Sequence, residues 1–344
     1  MERLGKNNIV GNEKLCTRLY SDIKSGSLAH AYIIEGKKGS GRHTLAKNIL
    51  ASLACTGGQA DLPCGECKNC RDILEDRCPD VMTIGRDGKA SLGIDAVRSI
   101  KSTIMAVANN LEFKAYIFED ADTMTLQAQN ALLLTLEQPP TRVYFFLICE
   151  NARSLLETIR SRAPVLRTEP LDPKDVDSYI TSDRVDKTVS ADARALKSSS
   201  PEEYKTVLFT AGGSIGRAID LLSAKNRKPI TDARSLAIRF LSSAKGTSAS
   251  EHPLMLMSAF SQKRDELIFQ LNHVSTALRD LILLKKSDSV QLCFFTDKDE
   301  ALDLSSAFAE RRLMTLLDRV NSAASILETN ANVRLTMIEL MSGI

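Results

Sequence analysis

Four groups of residues in this chain have types and spacings that could do chemistry. The first is the loop Gly36-Lys37-Lys38-Gly39-Ser40-Gly41-Arg42-His43-Thr44, set after the apolar run Ala31-Tyr32-Ile33-Ile34. A strand, a glycine-rich loop and a helix in succession cradle phosphate: loop amides and the helix N-terminus point at the anion. The full pattern is G-x-x-x-x-G-K-[ST]. Gly36 and Gly41 hold the glycine positions, but Arg42 stands at the lysine position and His43 at the hydroxyl position, with Thr44 one place late. Arginine carries a planar fork in place of a compact ammonium, and histidine is no hard oxygen ligand for Mg²⁺. Gly36, Gly39, Ser40, Gly41, Arg42, His43 and Thr44 therefore outline an altered nucleotide site; the plainer reading is a glycine turn joining strand to helix.

The second group is Glu119-Asp120, ending the apolar run Ala115-Tyr116-Ile117-Phe118. Carboxylates at such a strand end can hold Mg²⁺ and polarise water beside a phosphate loop. Their order, Glu then Asp, puts both geometries in question, and a solvated acidic turn is the bland alternative. The third group is Cys55, Cys64, Cys67 and Cys70. Four thiolates suit tetrahedral Zn²⁺, and a full shell leaves no open position, so the metal would be structural. An iron–sulfur site, a redox pair or free thiols are the alternatives, with Cys78 as a spare ligand. Cys16, Cys149 and Cys293 read as ordinary small apolar residues. The fourth group is basic. Arg162 in Thr158-Ile159-Arg160-Ser161-Arg162 could reach a phosphate on a neighbouring subunit, and Arg217 in Gly212-Gly213-Ser214-Ile215-Gly216-Arg217 could face the nucleotide; a surface salt bridge and a capped helix start are the ordinary readings.

The elements that must position these groups alternate. Helical spacing covers Asn12 to about Lys24, from about Thr44 to Ala54, Ile94 to Ala108, Thr125 to Glu137 and Leu155 to Arg160. Strands are expected at 31–34, 79–84, 115–118, 143–149 and 165–167. Strands apolar throughout, separated by helices, predict a parallel sheet covered on both faces. Beyond Pro170 the chain reads as helical, with a weak strand signal at Val290–Phe295 and a polar break at Lys225-Asn226-Arg227-Lys228-Pro229. Leu267, Leu271, Val274, Leu278 and Leu281 step by four and three, the face of a helix packed inside a helical domain.

Length and composition bound the rest. A chain of 344 residues fits about two or three domains. Its 43% hydrophobic content supports real cores. A net charge of +2 argues against a protein that coats nucleic acid by itself. The polar start and the shortness of the longest apolar run, Val143–Cys149, give no membrane span, and the expectation is a cytoplasmic protein, where cysteines bind metal or stay reduced.

Together these features resemble the AAA+ clamp-loader family. The residues that carry the likeness are Ile9-Val10-Gly11-Asn12, His30-Ala31-Tyr32, the cysteine insert, Gln129-Asn130-Ala131-Leu132-Leu133 through Thr135-Leu136-Glu137-Gln138-Pro139-Pro140, Phe145-Phe146-Leu147, Ser161-Arg162 and Asn330-Ala331-Asn332-Val333-Arg334-Leu335. The resemblance implies an α/β AAA+ P-loop domain with a zinc module (1–170, insert 55–70), a small helical lid domain (171–225) and an all-α collar domain (226–344). It implies a hetero-oligomer with gamma/tau and delta subunits that places the sliding clamp on primer-template DNA. Family members with an altered loop act as stators and supply the arginine of a Ser-Arg-Cys motif in trans, here Arg162; ATP or ADP binding by such members is left open. Ala163 replaces the cysteine of that motif, Leu134 a common lysine, and Gln138 the second glutamate before the prolines. An active ATPase subunit, or a zinc-stabilised module binding nucleic acid or protein, are the other functions the residues allow.

Overall fold

The computed structural model describes residues 3–5, 9–57, 62–86, 88–245, 252–287, 290, 292–329 and 331–344. Residues 58–61 of the cysteine insert, Gln291 and Asn330 lie outside them. The chain forms two compact units, Met1–Asp186 with Gly213–Arg217, and Lys187–Gly212 with Ala218–Ile344.

In the first unit the elements run α1 (Glu13–Lys24), β1 (Ala31–Glu35), α2 (Arg42–Leu53), α3 (Lys68–Leu74), β2 (Val81–Ile84), α4 (Ile94–Ile104), β3 (Lys114–Phe118), α5 (Leu126–Glu137), β4 (Val143–Cys149), α6 (Glu157–Arg160), β5 (Val165–Arg167) and α7 (Pro173–Ile180). The sheet order is β2-β3-β4-β1-β5, and every pairing is parallel. Successive strand residues point to opposite faces, and along β1, β3 and β4 both faces are dry. Tyr32, Ile34, Ala115, Ile117, Phe146 and Ile148 enter the core under α1 and α2. Ala31, Ile33, Tyr116, Phe118, Phe145 and Leu147 enter the core under α4 and α5. That is why the strands read as continuous apolar runs rather than alternating ones.

α2 begins at Arg42, two residues before the expected Thr44, because Gly41 takes the cap position at φ 83°, a conformation open to glycine. Arg42 and His43 thus fall in the first helical turn. α4 stops at Ile104, short of Ala108, and α6 starts at Glu157 rather than Leu155.

The second unit is helical: α8 (Lys187–Ser199), α9 (Pro201–Ala211), α10 (Ile215–Leu222), whose first residues belong to the first unit, α11 (Ala224–Ala244), α12 (Pro253–Leu256), α13 (Arg264–Lys286), α14 (Lys298–Ser306), α15 (Glu310–Glu328) and α16 (Val333–Ser342). Leu267, Leu271, Val274, Leu278 and Leu281 are all fully buried in its core. Two expectations fail here. The polar break at 225–229 is the opening of α11, which carries Pro229 inside it; burial of Ile230, Ala233, Leu236, Ala237 and Phe240 holds the helix through the lost backbone bond. The weak strand at 290–295 does not form among the described residues. The N–H groups of Cys293, Phe294 and Phe295 instead donate to Oδ2 of buried Asp280, at 2.7, 2.6 and 3.3 Å.

Candidate functional site

The altered phosphate loop leaves β1 at its C-terminal end, the edge of a parallel sheet where ligands gather. Its shape is set by near approaches that only small residues permit. A Cβ on Gly36 would meet Thr168 Oγ1 at 1.9 Å, and one on Gly39 would meet Ser214 Oγ at 2.6 Å. Ser40 Oγ and Thr168 Oγ1 share a hydrogen bond of 2.8 Å. Ser214 Oγ donates to Lys38 O at 2.9 Å, and the Gly216 N–H donates to Gly39 O at 3.0 Å. Arg217 presents its backbone to the loop, its N–H donating to Ser214 Oγ at 3.2 Å, while its side chain is exposed. Thr168 was invisible as a loop partner in the sequence, because nothing local in a threonine after β5 marks it.

The residues at the lysine and hydroxyl positions of the loop are largely withdrawn from solvent. Arg42 is only 7% exposed, and its NH1 has no hydrogen-bond partner among the described residues. His43 Nε2 lies 3.7 Å from Glu119 Oε1. Burial, seconded by the charge of Lys47, holds the His43 imidazole below its usual range against the opposing pull of Glu119 and Asp76. Asp120, at φ 48°, turns away from Glu119 and pairs with Arg86 at 2.8 Å. The two carboxylates that read as one acidic pair are thus split between two different neighbours, the His43 imidazole and the Arg86 guanidinium. Thr44 is exposed on the helix behind them.

The cysteine knuckle stands beside α2. The ligand atoms of Cys55, Cys64, Cys67 and Cys70 all lie within 4.8 Å of one another. Two features bring them together: Cys67 caps α3, accepting from the Cys70 N–H at 3.4 Å, and Cys64 accepts from the Cys67 N–H at 3.4 Å. N–H groups donating to sulfur are what thiolate ligands use to spread their charge. Burial raises the Cys67 thiol, but these donors and others from Thr56 outweigh it and bring the pKa down to about 6. Cys78 is buried outside the cluster. The donor set fits a tetrahedral zinc ion, which would link α3 and the insert to the end of α2. Cys70 also touches Ala51 O at 3.4 Å, Asn69 Nδ2 donates to Ala54 O at 2.9 Å, and Lys47 pairs with Asp76.

Arg162 follows α6 and is 36% exposed. Its NH2 pairs with Glu137 Oε1 at 2.8 Å, and its NH1 donates to Thr158 O at 2.9 Å and Ser161 Oγ at 3.3 Å. Ala163 is fully buried. Beside α6 a cleft of about 650 Å³ is lined by Glu35, Asn151, Arg153, Arg160 and Arg167. Among the described residues no helix is long and apolar enough to cross a membrane.

Residues 11–172 match the profile of the family described as DNA polymerase III, delta subunit. The chain is 35% identical to DNA polymerase III subunit delta' of Bacillus subtilis over 162 residues, 47% of this chain and 49% of that protein. It is 25% identical to subunit tau of Escherichia coli over 270 residues, 78% of this chain and 40% of that protein. The chain thus spans about half the length, or less, of these relatives. Among solved structures, a DNA polymerase III gamma subunit-related protein of Thermotoga maritima aligns over 94% of this chain and 97% of its own at 18% identity and a TM-score of 0.45. Residues 11–172 of this chain are thus similar to the DNA polymerase III delta-subunit family and to the delta' and tau subunits.

Proposed function

We propose that the chain is a delta-prime-type subunit of a DNA polymerase III clamp loader, a stator with little or no ATP hydrolysis of its own. It works beside gamma/tau and delta subunits to place a sliding clamp on primer-template DNA, and it supplies Arg162 to ATP held by a neighbour. Structural Zn²⁺ on Cys55, Cys64, Cys67 and Cys70 braces the AAA+ domain of residues 1–170; the lid spans 171–225 and the collar 226–344. The observation that carries this reading is His43. It stands where a hydroxyl would ligate Mg²⁺, and it faces Glu119 at 3.7 Å. Without that oxygen ligand the metal that neutralises phosphate charge has lost a fixed support.

Arg162 is open to solvent where Arg42 is not, which suits a role on another subunit. The test reconstitutes the loader with Arg162→Ala as the only change. ATP turnover by the assembly falls on this reading; undiminished turnover sinks the trans role. A second reading, an active gamma/tau-like ATPase, draws on the tau alignment over 78% of the chain. It predicts steady ATP hydrolysis by the chain alone, lost in Asp120→Ala.

A further inference from the structure

α5 ends on a carboxylate. Glu137 is its last residue, and no basic residue shares the final turn. Aligned peptide dipoles leave partial negative charge at that end, so the carboxylate has the wrong sign for its place. The cation that meets it comes from another element: Arg162 NH2, at 2.8 Å. Both partners are well exposed, at 36% and 44%, and such a pair adds little to stability. A local rule broken with so small a return points to function.

The contact does fix geometry. NH1 of Arg162 is held from α6 by Thr158 O and Ser161 Oγ, and NH2 is held from α5 by Glu137. Partners on both terminal nitrogens set the plane of the guanidinium, while Nε–H takes part in none of the described contacts. The platform under the pair is pinned as well. Gln129, buried within α5, donates from Nε2 to Met124 O at 3.1 Å and Ser154 O at 3.4 Å. It also accepts from the Leu156 N–H at 2.8 Å. Leu136, Ile159 and Ala163 are buried in one core. α5 and the turn into α6 therefore hold Glu137 and Arg162 in fixed register.

We propose that Glu137 is the positioning residue for Arg162, presenting its guanidinium to a phosphate on the neighbouring subunit. This rests on the trans-arginine reading above. The experiment uses the full chain in the reconstituted loader with ATP, and measures kcat and KM for the unchanged protein, Glu137→Gln, Arg162→Ala and the double variant. Glu137→Gln is expected to lower kcat about three- to fivefold, the scale of one exposed ion pair, with KM and complex formation unchanged. In the Arg162→Ala background it should change nothing further, since a residue acting through Arg162 has nothing left to act on. An equal loss in both backgrounds would mean that Glu137 only supports α5, and overturns the proposal. So would an unchanged or raised kcat for Glu137→Gln while Arg162→Ala is impaired. Full kcat in Arg162→Ala removes the trans-arginine reading, and this inference with it.

Discussion

Two arginines flank one parallel sheet, Arg42 past the end of β1 and Arg162 just before the start of β5, and their surroundings differ. Arg42 opens α2 inside the altered loop and is almost wholly buried, with NH1 unpartnered among the described residues. Arg162 follows α6, half open to solvent and held on both terminal nitrogens. Arg42 sits at the lysine position of the phosphate-loop pattern, and the neighbouring His43 stands at the hydroxyl position. Arg162 sits away from any phosphate of its own, yet its guanidinium is oriented and accessible. One sheet can thus carry one arginine that is buried and another that is oriented and accessible.

The largest expected effect tests the accessible side. Arg162→Ala should cut turnover at the one ATP site it serves by on the order of 10³, the range of a trans-acting arginine, while Arg42→Ala in the same assembly should leave turnover within about twofold. Equal losses would erase the contrast. Next comes the brace behind the buried side. Removing metal with a chelator, or Cys64→Ser, should lower the melting temperature of the unit carrying the loop by about 10 °C, if a structural zinc contributes several kcal/mol. Metal analysis finding no stoichiometric zinc would remove that claim. Third, Arg42→Lys with His43→Thr restores the phosphate-loop pattern and should tighten Mg-ATP binding about tenfold by calorimetry, the worth of roughly one charge-assisted contact. No gain would show that the loop is closed to nucleotide for reasons beyond these two side chains.

The smallest effect is a pH slope. The folded state holds the His43 imidazole below the ordinary histidine value of 6.5, so it binds that proton less readily than the unfolded chain. The stability this group contributes is therefore complete above about pH 6.5 and is lost as pH falls from there through the folded value. Lys47, Glu119 and Asp76 are the charged groups acting on it. The melting temperature of the unchanged protein minus that of His43→Gln should shrink from pH 7.5 to 5.5; a flat difference would contradict the burial argument.

Much of the first unit was legible, for a physical reason. Strands buried on both faces leave continuous apolar runs, and Tyr116–Phe118 and Val143–Cys149 could hardly be anything else. Cysteine spacing was legible too, because Cys67 both caps α3 and stands three residues from Cys64 and Cys70. What stayed hidden depended on distant partners. Glu119 and Asp120 read as one acidic pair, but Asp120 adopts positive φ and answers Arg86, leaving Glu119 to His43. Pro229 reads as a break, but the apolar face of α11 outweighs one missing hydrogen bond. Phe294 and Phe295 read as strand until the buried carboxylate of Asp280 collects their N–H groups. The cation beside Glu137 lies across a connection holding a whole strand, where local pattern is silent.

The phosphate loop closes on its own chain. Lys38 and Gly39 give their carbonyls to Ser214 and Gly216, and Gly36 leaves room for Thr168. A loop so tied needs no ligand to keep its curve. Its glycines answer to a neighbouring backbone: a Cβ on Gly216 would press to 2.8 Å from Gly39 Cα. Drift at Arg42 and His43 would cost the binding of a small molecule and leave the architecture standing, whereas drift at Gly39 or Gly216 would cost the architecture itself. Glycines at phosphate-loop positions can in this way serve as masonry for the chain itself.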